Sequence, residues 1–186
     1  MRIITGTLKG RKLYSPNDNK IRPTSDKVKE SIFNMVAEYM EDAVVVDLFC
    51  GTGNMGLEAI SRGAKRAYFI DKARESILLT KKNIAYCQVE NKATLISSDY
   101  ERGLTAIKEK ADVIFLDPPY KAGFLESCLL KIAKLTMLSQ DGLIVCEHGS
   151  EEKLPDRIDS MIKLKEKRYG KSIVDIYKYN QEDNES

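Results

Sequence analysis

Asp47-Leu48-Phe49-Cys50-Gly51-Thr52-Gly53-Asn54-Met55-Gly56 is the stretch on which the fold turns. It follows the apolar run Ala43-Val44-Val45-Val46 and leads into a helical segment, 55–62, that Gly63 ends. A buried strand, a glycine turn and a helix are the opening of a strand–helix–strand unit. The glycines let the backbone turn tightly and let a ligand approach without a Cβ clash. Gly51-x-Gly53-x-x-Gly56 also spells a dinucleotide fingerprint. Taken alone, the letters suit a plain tight turn between strand and helix as well.

Outward from the loop the rhythm repeats. Segments 66–71, 93–97, 112–117 and 142–147 read as further strands. Segments 73–87, 101–110 and 124–135 read as helices, the first with Ile77, Leu78, Ile84 and Ala85 inward. Alternation of this kind predicts a Rossmann-like α/β fold, a mostly parallel sheet with helices on both faces. Right-handed crossovers then bring the strand ends, and any ligand, to one edge. Segments 161–167 and 172–179 alternate around Tyr169-Gly170 and predict two antiparallel strands. Before the loop, Pro23-Thr24-Ser25-Asp26 opens a helix whose Val28, Ile32, Met35, Val36 and Tyr39 share a face. Residues 2–14 read as a β-hairpin around Gly6 and Gly10.

The acidic residues after the loop narrow the ligand. Asp71 ends the second strand, where a carboxylate can accept from both hydroxyls of a ribose. Asp99 follows the third strand and can accept from an adenine amine. Asp47 can balance an ammonium through the loop. A nicotinamide cofactor would use Gly51, Gly53, Gly56 and Asp71 too, but its pyrophosphate seeks a helix N-terminus and positive charge. No basic residue lies between Asp47 and Arg62. S-adenosylmethionine carries an ammonium, a sulfonium, a ribose and an adenine but no phosphate, and suits this acidic series better.

Asp117-Pro118-Pro119-Tyr120 ends the fourth strand. The prolines remove two backbone donors and stiffen the turn. Acceptors remain, beside an aromatic ring. An exocyclic amine on a nucleobase is a poor nucleophile because its lone pair is conjugated into the ring. The Asp117 carboxylate and the Pro118 carbonyl can bind its protons and favour a tetrahedral nitrogen. Tyr120 can stack on the base. A Pro-Pro turn with Tyr120 packed inward is the plainer reading, and the position after a glycine loop and an acidic series weighs against it.

The chain has 186 residues, 42% of them hydrophobic, enough for one domain with a real core. No apolar run spans a membrane, and Met1 to Lys12 lacks the apolar region of a signal peptide, so a cytoplasmic location is expected. Cys50, Cys87, Cys128 and Cys146 are scattered and there is one histidine, His148, which argues against disulfides and a metal site. The net charge of +2 is a sum of unlike parts. Residues 1–22 hold Arg2, Lys9, Arg11, Lys12, Lys20 and Arg22 against Asp18, while the tail carries Glu182, Asp183 and Glu185. Three units follow: a basic β-hairpin arm at 1–22, a catalytic domain at 23–179 and an acidic, disordered tail at 180–186. Lys9, Arg11 and Lys12 can track RNA phosphates. Lys163, Lys165, Lys167 and Arg168 read as the solvated side of an edge strand.

These motifs resemble a class I S-adenosylmethionine-dependent methyltransferase of the amino-methylating type. The flanks sharpen the likeness. Arg2-Ile-Ile-Thr-Gly-Thr-Leu-Lys-Gly-Arg-Lys-Leu, Arg22-Pro-Thr-Ser-Asp-Lys-Val-Lys-Glu-Ser-Ile-Phe-Asn and Gly56-Leu-Glu-Ala-Ile-Ser-Arg-Gly-Ala are similar to the bacterial 16S ribosomal RNA guanine-N2-methyltransferase family. The resemblance implies methylation of one guanine amine, at guanine 966 in the usual RNA numbering. It implies a seven-stranded sheet with a reversed last strand, an N-terminal hairpin that engages RNA, and closure of the Arg22-Pro-Thr-Ser segment over the cofactor. It extends the cofactor set to Arg22, Thr24, Phe49, Thr52, Lys72 and Tyr100, beside Asp47, Gly51, Gly53, Gly56, Asp71 and Asp99. The catalytic set is Asp117, Pro118, Pro119 and Tyr120, with no metal. The expected partner is 16S ribosomal RNA or the assembling small subunit, met by a monomer that touches no membrane. Cys50, Asn54 and Met55 depart from the usual small residues of the loop, and Asp71 stands where Glu is common. An amino-methyltransferase acting on other RNA, DNA or protein stays open, as does a non-catalytic RNA-binding assembly module.

Overall fold

The computed structural model describes residues 1–16, 25–118 and 123–180. The strands among them are β1 (Val44–Leu48), β2 (Arg66–Asp71), β3 (Ala93–Ser97), β4 (Ala111–Leu116), β5 (Leu138–Gly149), β6 (Arg157–Ile158), β7 (Met161–Tyr169) and β8 (Ser172–Tyr179). The helices are α1 (Asp26–Met35), α2 (Asn54–Ser61), α3 (Arg74–Cys87), α4 (Tyr100–Ala106) and α5 (Phe124–Lys134). All eight strands join one sheet in the order β3-β2-β1-β4-β5-β8-β7-β6. The first five run parallel, and β8 enters antiparallel to β5.

Seven strands were expected and eight are found. The addition, β6, pairs only Arg157 and Ile158 with the start of β7. Two residues are too few for alternation to show in a sequence. Strand β5 begins at Leu138, earlier than expected, and its register with β4 shifts before Val113. Helix α4 stops at Ala106 because Ile107 is already extended, at φ −76° and ψ 129°.

Fully buried parallel strands need apolar cover on both faces. Val45, Phe69, Phe115 and Val145 pack under α1, α2 and α3. Val46, Ile70, Ile114 and Ile144 pack under α4 and α5. The Ser25 hydroxyl caps α1 by accepting from Val28 N. On α3 the inward face is Thr80, Asn83, Ile84 and Cys87, whereas Leu78, expected inward, is 57% exposed, and Ala85 is exposed too. The glycine loop explains the exchange, since its backbone needs polar partners beneath it.

The N-terminal residues do not form paired strands. One antiparallel bridge, Arg2 with Lys12, closes a turn-rich loop. Its Ile3, Leu8 and Leu13 join the core under α1–α3. Buried Glu58 of α2 holds it, accepting from Ile4 N at 2.8 Å and Thr5 N at 3.0 Å. Lys29 of α1 and Arg62 neutralise that carboxylate, at 3.0 and 2.9 Å. Among the described residues no helix is long and apolar enough to cross a membrane.

Candidate active site

Strand order reverses between β1 and β4, and ligands of open α/β sheets bind at such a point, outside the strand ends. The loop after β1 turns through left-handed backbone at Phe49 (φ 65°), Gly51 (56°) and Gly53 (79°). A Cβ on Gly51 would meet nothing within 4 Å, so the loop faces open space there. A Cβ on Gly56 would lie 2.3 Å from the Phe69 ring, so this glycine lets α2 settle on β2. Helix α3 supports the loop from beneath. Thr80 Oγ1 donates to the Gly51 carbonyl and Asn83 Nδ2 to the Thr52 carbonyl, both at 2.9 Å. The Asn83 amide also bonds both backbone groups of Tyr14, at 2.8 and 3.0 Å. The Thr52 hydroxyl is engaged within the protein, donating to the Met1 thioether at 3.1 Å.

Four aspartates from the sequence reading line this edge. Asp47 is buried, and its Oδ2 accepts from Gly56 N at 2.9 Å. Burial raises its pKa to about 7, against the Gly56 bond and with help from the Asp71 charge. Asp71 spans the turn, accepting from Gly51 N at 3.0 Å and Ala73 N at 2.9 Å. Lys72 beside it is exposed. Asp99 is exposed and caps α4, accepting from Arg102 N at 3.0 Å, a bond that lowers its pKa. Asp117 stands just past β4, open to the cleft, yet enough protein surrounds it to disfavour its charge. That desolvation, with the Glu147 and Asp47 charges, raises it to about 8.

Glu147 was missed from the sequence. Leu116 pairs with Cys146, so Asp117 and Glu147 are the next neighbours in register. Phe115 and Val145 both lie under α1–α3, and strand alternation puts Asp117 and Glu147 on that side too. A polar residue ending a buried apolar strand, as in Leu143-Ile144-Val145-Cys146-Glu147, is the signal that could have found it. Phe124 was missed as well. Its ring lies 5.3 Å from Phe49 and 5.2 Å from Tyr100, an apolar corner beside the loop.

Pro118 follows Asp117 and is buried. Pro119, Tyr120, Arg22 and Thr24 lie outside the described residues, as do tail residues 181–186. Two of the expected RNA contacts are set apart from this edge, whereas Lys12 pairs with Arg2, whose carbonyl meets Lys29 beside Asn54 at the start of α2. Lys9 and Arg11 lie by the far ends of α2 and α3: Thr7 N donates to Ser61 O at 2.8 Å, and Arg11 Nη1 to Tyr86 O at 2.8 Å. Eight residues of α2, about 12 Å of helix, separate that end from the glycine loop. Lys9 and Lys12 are exposed. His148 points into the protein, bonded to Asp175 and the Gly149 carbonyl at 3.0 Å each. Among the described residues no group of three His, Cys, Asp or Glu could hold a metal ion.

The family described as Conserved hypothetical protein 95 matches residues 1–178. YlbH of Bacillus subtilis (strain 168) is 40% identical over 181 residues, covering 96% of this chain and 98% of that protein. Ribosomal RNA small subunit methyltransferase D of Escherichia coli (strain K12) is 36% identical over 155 residues, covering 83% of this chain and 78% of that protein. The solved structure of yhhF from Escherichia coli is 31% identical and covers 97% of this chain and 98% of that chain, with a TM-score of 0.87.

Proposed function

The chain belongs to the ribosomal RNA small subunit methyltransferase D family, and from that premise we propose that it methylates the exocyclic N2 amine of a guanine in 16S ribosomal RNA, guanine 966 in the usual numbering. One observation carries the reading. The glycine loop after β1 and Asp117 after β4 flank the same reversal of strand order, so a methyl donor and an amine meet across one cleft.

The residues fit S-adenosylmethionine. The loop is open beside Gly51, the carboxylates of Asp71 and Asp47 bond its backbone at Gly51 and Gly56, and residues 48–61 carry no basic side chain that would favour a phosphate. Asp47 balances the ammonium, Asp71 receives the ribose hydroxyls and Asp99 the adenine amine. Phe49, Tyr100 and Phe124 supply an apolar wall. Bound there, the cofactor supplies a methyl group on positively charged sulfur and leaves as S-adenosylhomocysteine.

The chain's own work is alignment. Asp117 and the Pro118 carbonyl accept the two amine protons and free the nitrogen lone pair for in-line attack. The proton released after transfer passes to Asp117 or to water. Pro119 and Tyr120 complete the catalytic set, Tyr120 by stacking on the base. Lys9, Arg11 and Lys12 hold phosphates of the RNA or of the assembling small subunit, Lys9 and Arg11 away from the target base. The protein acts as a cytoplasmic monomer.

Mapping N2-methylguanine in small-subunit RNA, with and without the gene, tests this. A single guanine loses its mark in the deleted strain, and purified protein with S-adenosylmethionine restores it. An unchanged map overturns the substrate. No thermal stabilisation by millimolar S-adenosylmethionine overturns the cofactor and favours a non-catalytic assembly module.

A further inference from the structure

The β7–β8 hairpin reads from sequence as a solvated edge, but the sheet places its tip at the catalytic edge. Glu147 of β5 pairs with Val174 of β8, and Val174 pairs with Lys167 of β7. Lys167 is therefore level with Glu147 and, through the register of β4, with Asp117. Three strand spacings separate it from Asp117, about 14 Å. Val174 belongs to the core under α1–α3, so Lys167 emerges on the same side of the sheet as Asp117. It also meets α1, donating to Ser31 Oγ at 3.2 Å. Tyr169 shares a hydrogen bond with the same hydroxyl. Beyond them the turn at Gly170 rises past the strand ends and is tied to the end of β5 by Ser150 N donating to Lys171 O at 3.0 Å.

Lys165, Lys167, Arg168 and Lys171 are all exposed here. Three acids stand near them. Glu166 is engaged by Lys163 at 3.2 Å, and Glu151 and Glu152 lie on the adjoining turn. The tip thus carries a net positive charge beside a cleft lined by carboxylates. A nucleic acid whose base enters that cleft brings phosphates past its rim, and the rim on this side is the hairpin.

We propose that the tip of the β7–β8 hairpin, through Lys167, Arg168 and Lys171, grips the phosphate backbone of the RNA strand beside the target base. This rests on the RNA substrate argued above. The contact positions the strand and reads no sequence. Lys9 and Arg11, a helix length from the loop, serve a more distant part of the RNA.

The test is the K167A/R168A/K171A variant against a charge-matched control, K65A/K108A/K134A, whose exposed lysines lie at the opposite edge of the sheet. The probe is small-subunit RNA lacking the mark, titrated at several salt concentrations. The hairpin variant raises KM for RNA at least tenfold and lowers the log–log salt slope by about 2, three lost single-strand contacts. Its affinity for S-adenosylmethionine stays at the wild-type value, and restoring charge as K167R/R168K/K171R recovers most of the RNA affinity. Methyl transfer by the wild type with an unchanged KM and slope in the hairpin variant overturns the hairpin alone. Equal losses in the control overturn it too. A wild type that transfers no methyl group to any small-subunit RNA overturns the substrate reading and the hairpin with it.

Discussion

Asp47 Oδ2 accepts a 2.9 Å hydrogen bond from Gly56 N, so one carboxylate closes the glycine loop on itself, from the strand that enters it to the helix that leaves it. The bond is buried, and the group's pKa of about 7 reflects the cost of charge there. Asp47→Asn keeps an acceptor for Gly56 and removes the charge. The variant folds as well as wild type and binds S-adenosylmethionine more weakly, by calorimetry. Asp47→Ala leaves a buried N–H unpaired and loses about 1–3 kcal/mol in urea unfolding. Undiminished affinity in Asp47→Asn removes the ammonium role.

The raised pKa of Asp117 makes turnover depend on pH. Only the ionised carboxylate is a full acceptor for the amine protons. The value of kcat/KM reports the free enzyme, so it rises with pH and levels off above about 8. Glu147→Gln removes one of the two like charges acting on Asp117, so the plateau arrives at lower pH. Asp117→Ala loses methyl transfer and keeps cofactor binding. Rate measurements from pH 6 to 9.5 check all three, and an unmoved profile in Glu147→Gln separates the two carboxylates.

What the sequence disclosed follows from where the information sits. The strand runs, the glycine turn and the aspartates at strand ends are local patterns, and the parallel sheet and its ligand edge follow from them. Leu78 and Asn83 mark the boundary. Apolar periodicity turned Leu78 inward, but the loop above α3 needed hydrogen bonds, and Asn83 supplies them. Glu147 acquires meaning only through the β4–β5 register, a long-range pairing. The same holds for the hairpin tip, whose lysines look alike in sequence whichever end of the sheet they reach.

Asn83→Ala tests that support. The substitution strips three backbone groups of their partner, two on Tyr14 and one on Thr52. Loss of stability is about 2 kcal/mol, since the buried Thr52 carbonyl left unpaired costs roughly 1–3 kcal/mol and the half-buried Tyr14 groups, which water can reach, cost less. The loop loosens with it, so cofactor affinity falls alongside the unfolding midpoint. Leu78→Ala on the exposed side of the same helix is the contrast and leaves both within error. Equal effects in the two variants place the loop's support elsewhere.

Gly56→Ala separates packing from ligand contact. The new methyl group would stand 2.3 Å from the Phe69 ring, and overpacking of a core costs about 1–3 kcal/mol. Phe69→Leu makes room, so the double variant is more stable than Gly56→Ala alone and recovers cofactor affinity. A double variant that stays as unstable as the single one refutes the packing role.

His148 gives stability a pH dependence of its own. Both ring nitrogens face acceptors, the Gly149 carbonyl and the Asp175 carboxylate, so both hold a proton in the best-bonded state. Lys163 Nζ lies 3.2 Å from the same carboxylate. Burial opposes the imidazolium, but the bonds to Asp175 and Gly149 outweigh it and the pKa lies above its ordinary value of 6.5. The folded protein therefore holds this proton more tightly than the unfolded chain. The stabilisation is fully present below pH 6.5 and disappears as pH rises through the folded value. Between pH 6 and pH 9 the wild-type urea midpoint falls further than that of His148→Gln, which donates to Asp175 without titrating. Parallel falls in the two proteins would show that His148 is neutral throughout.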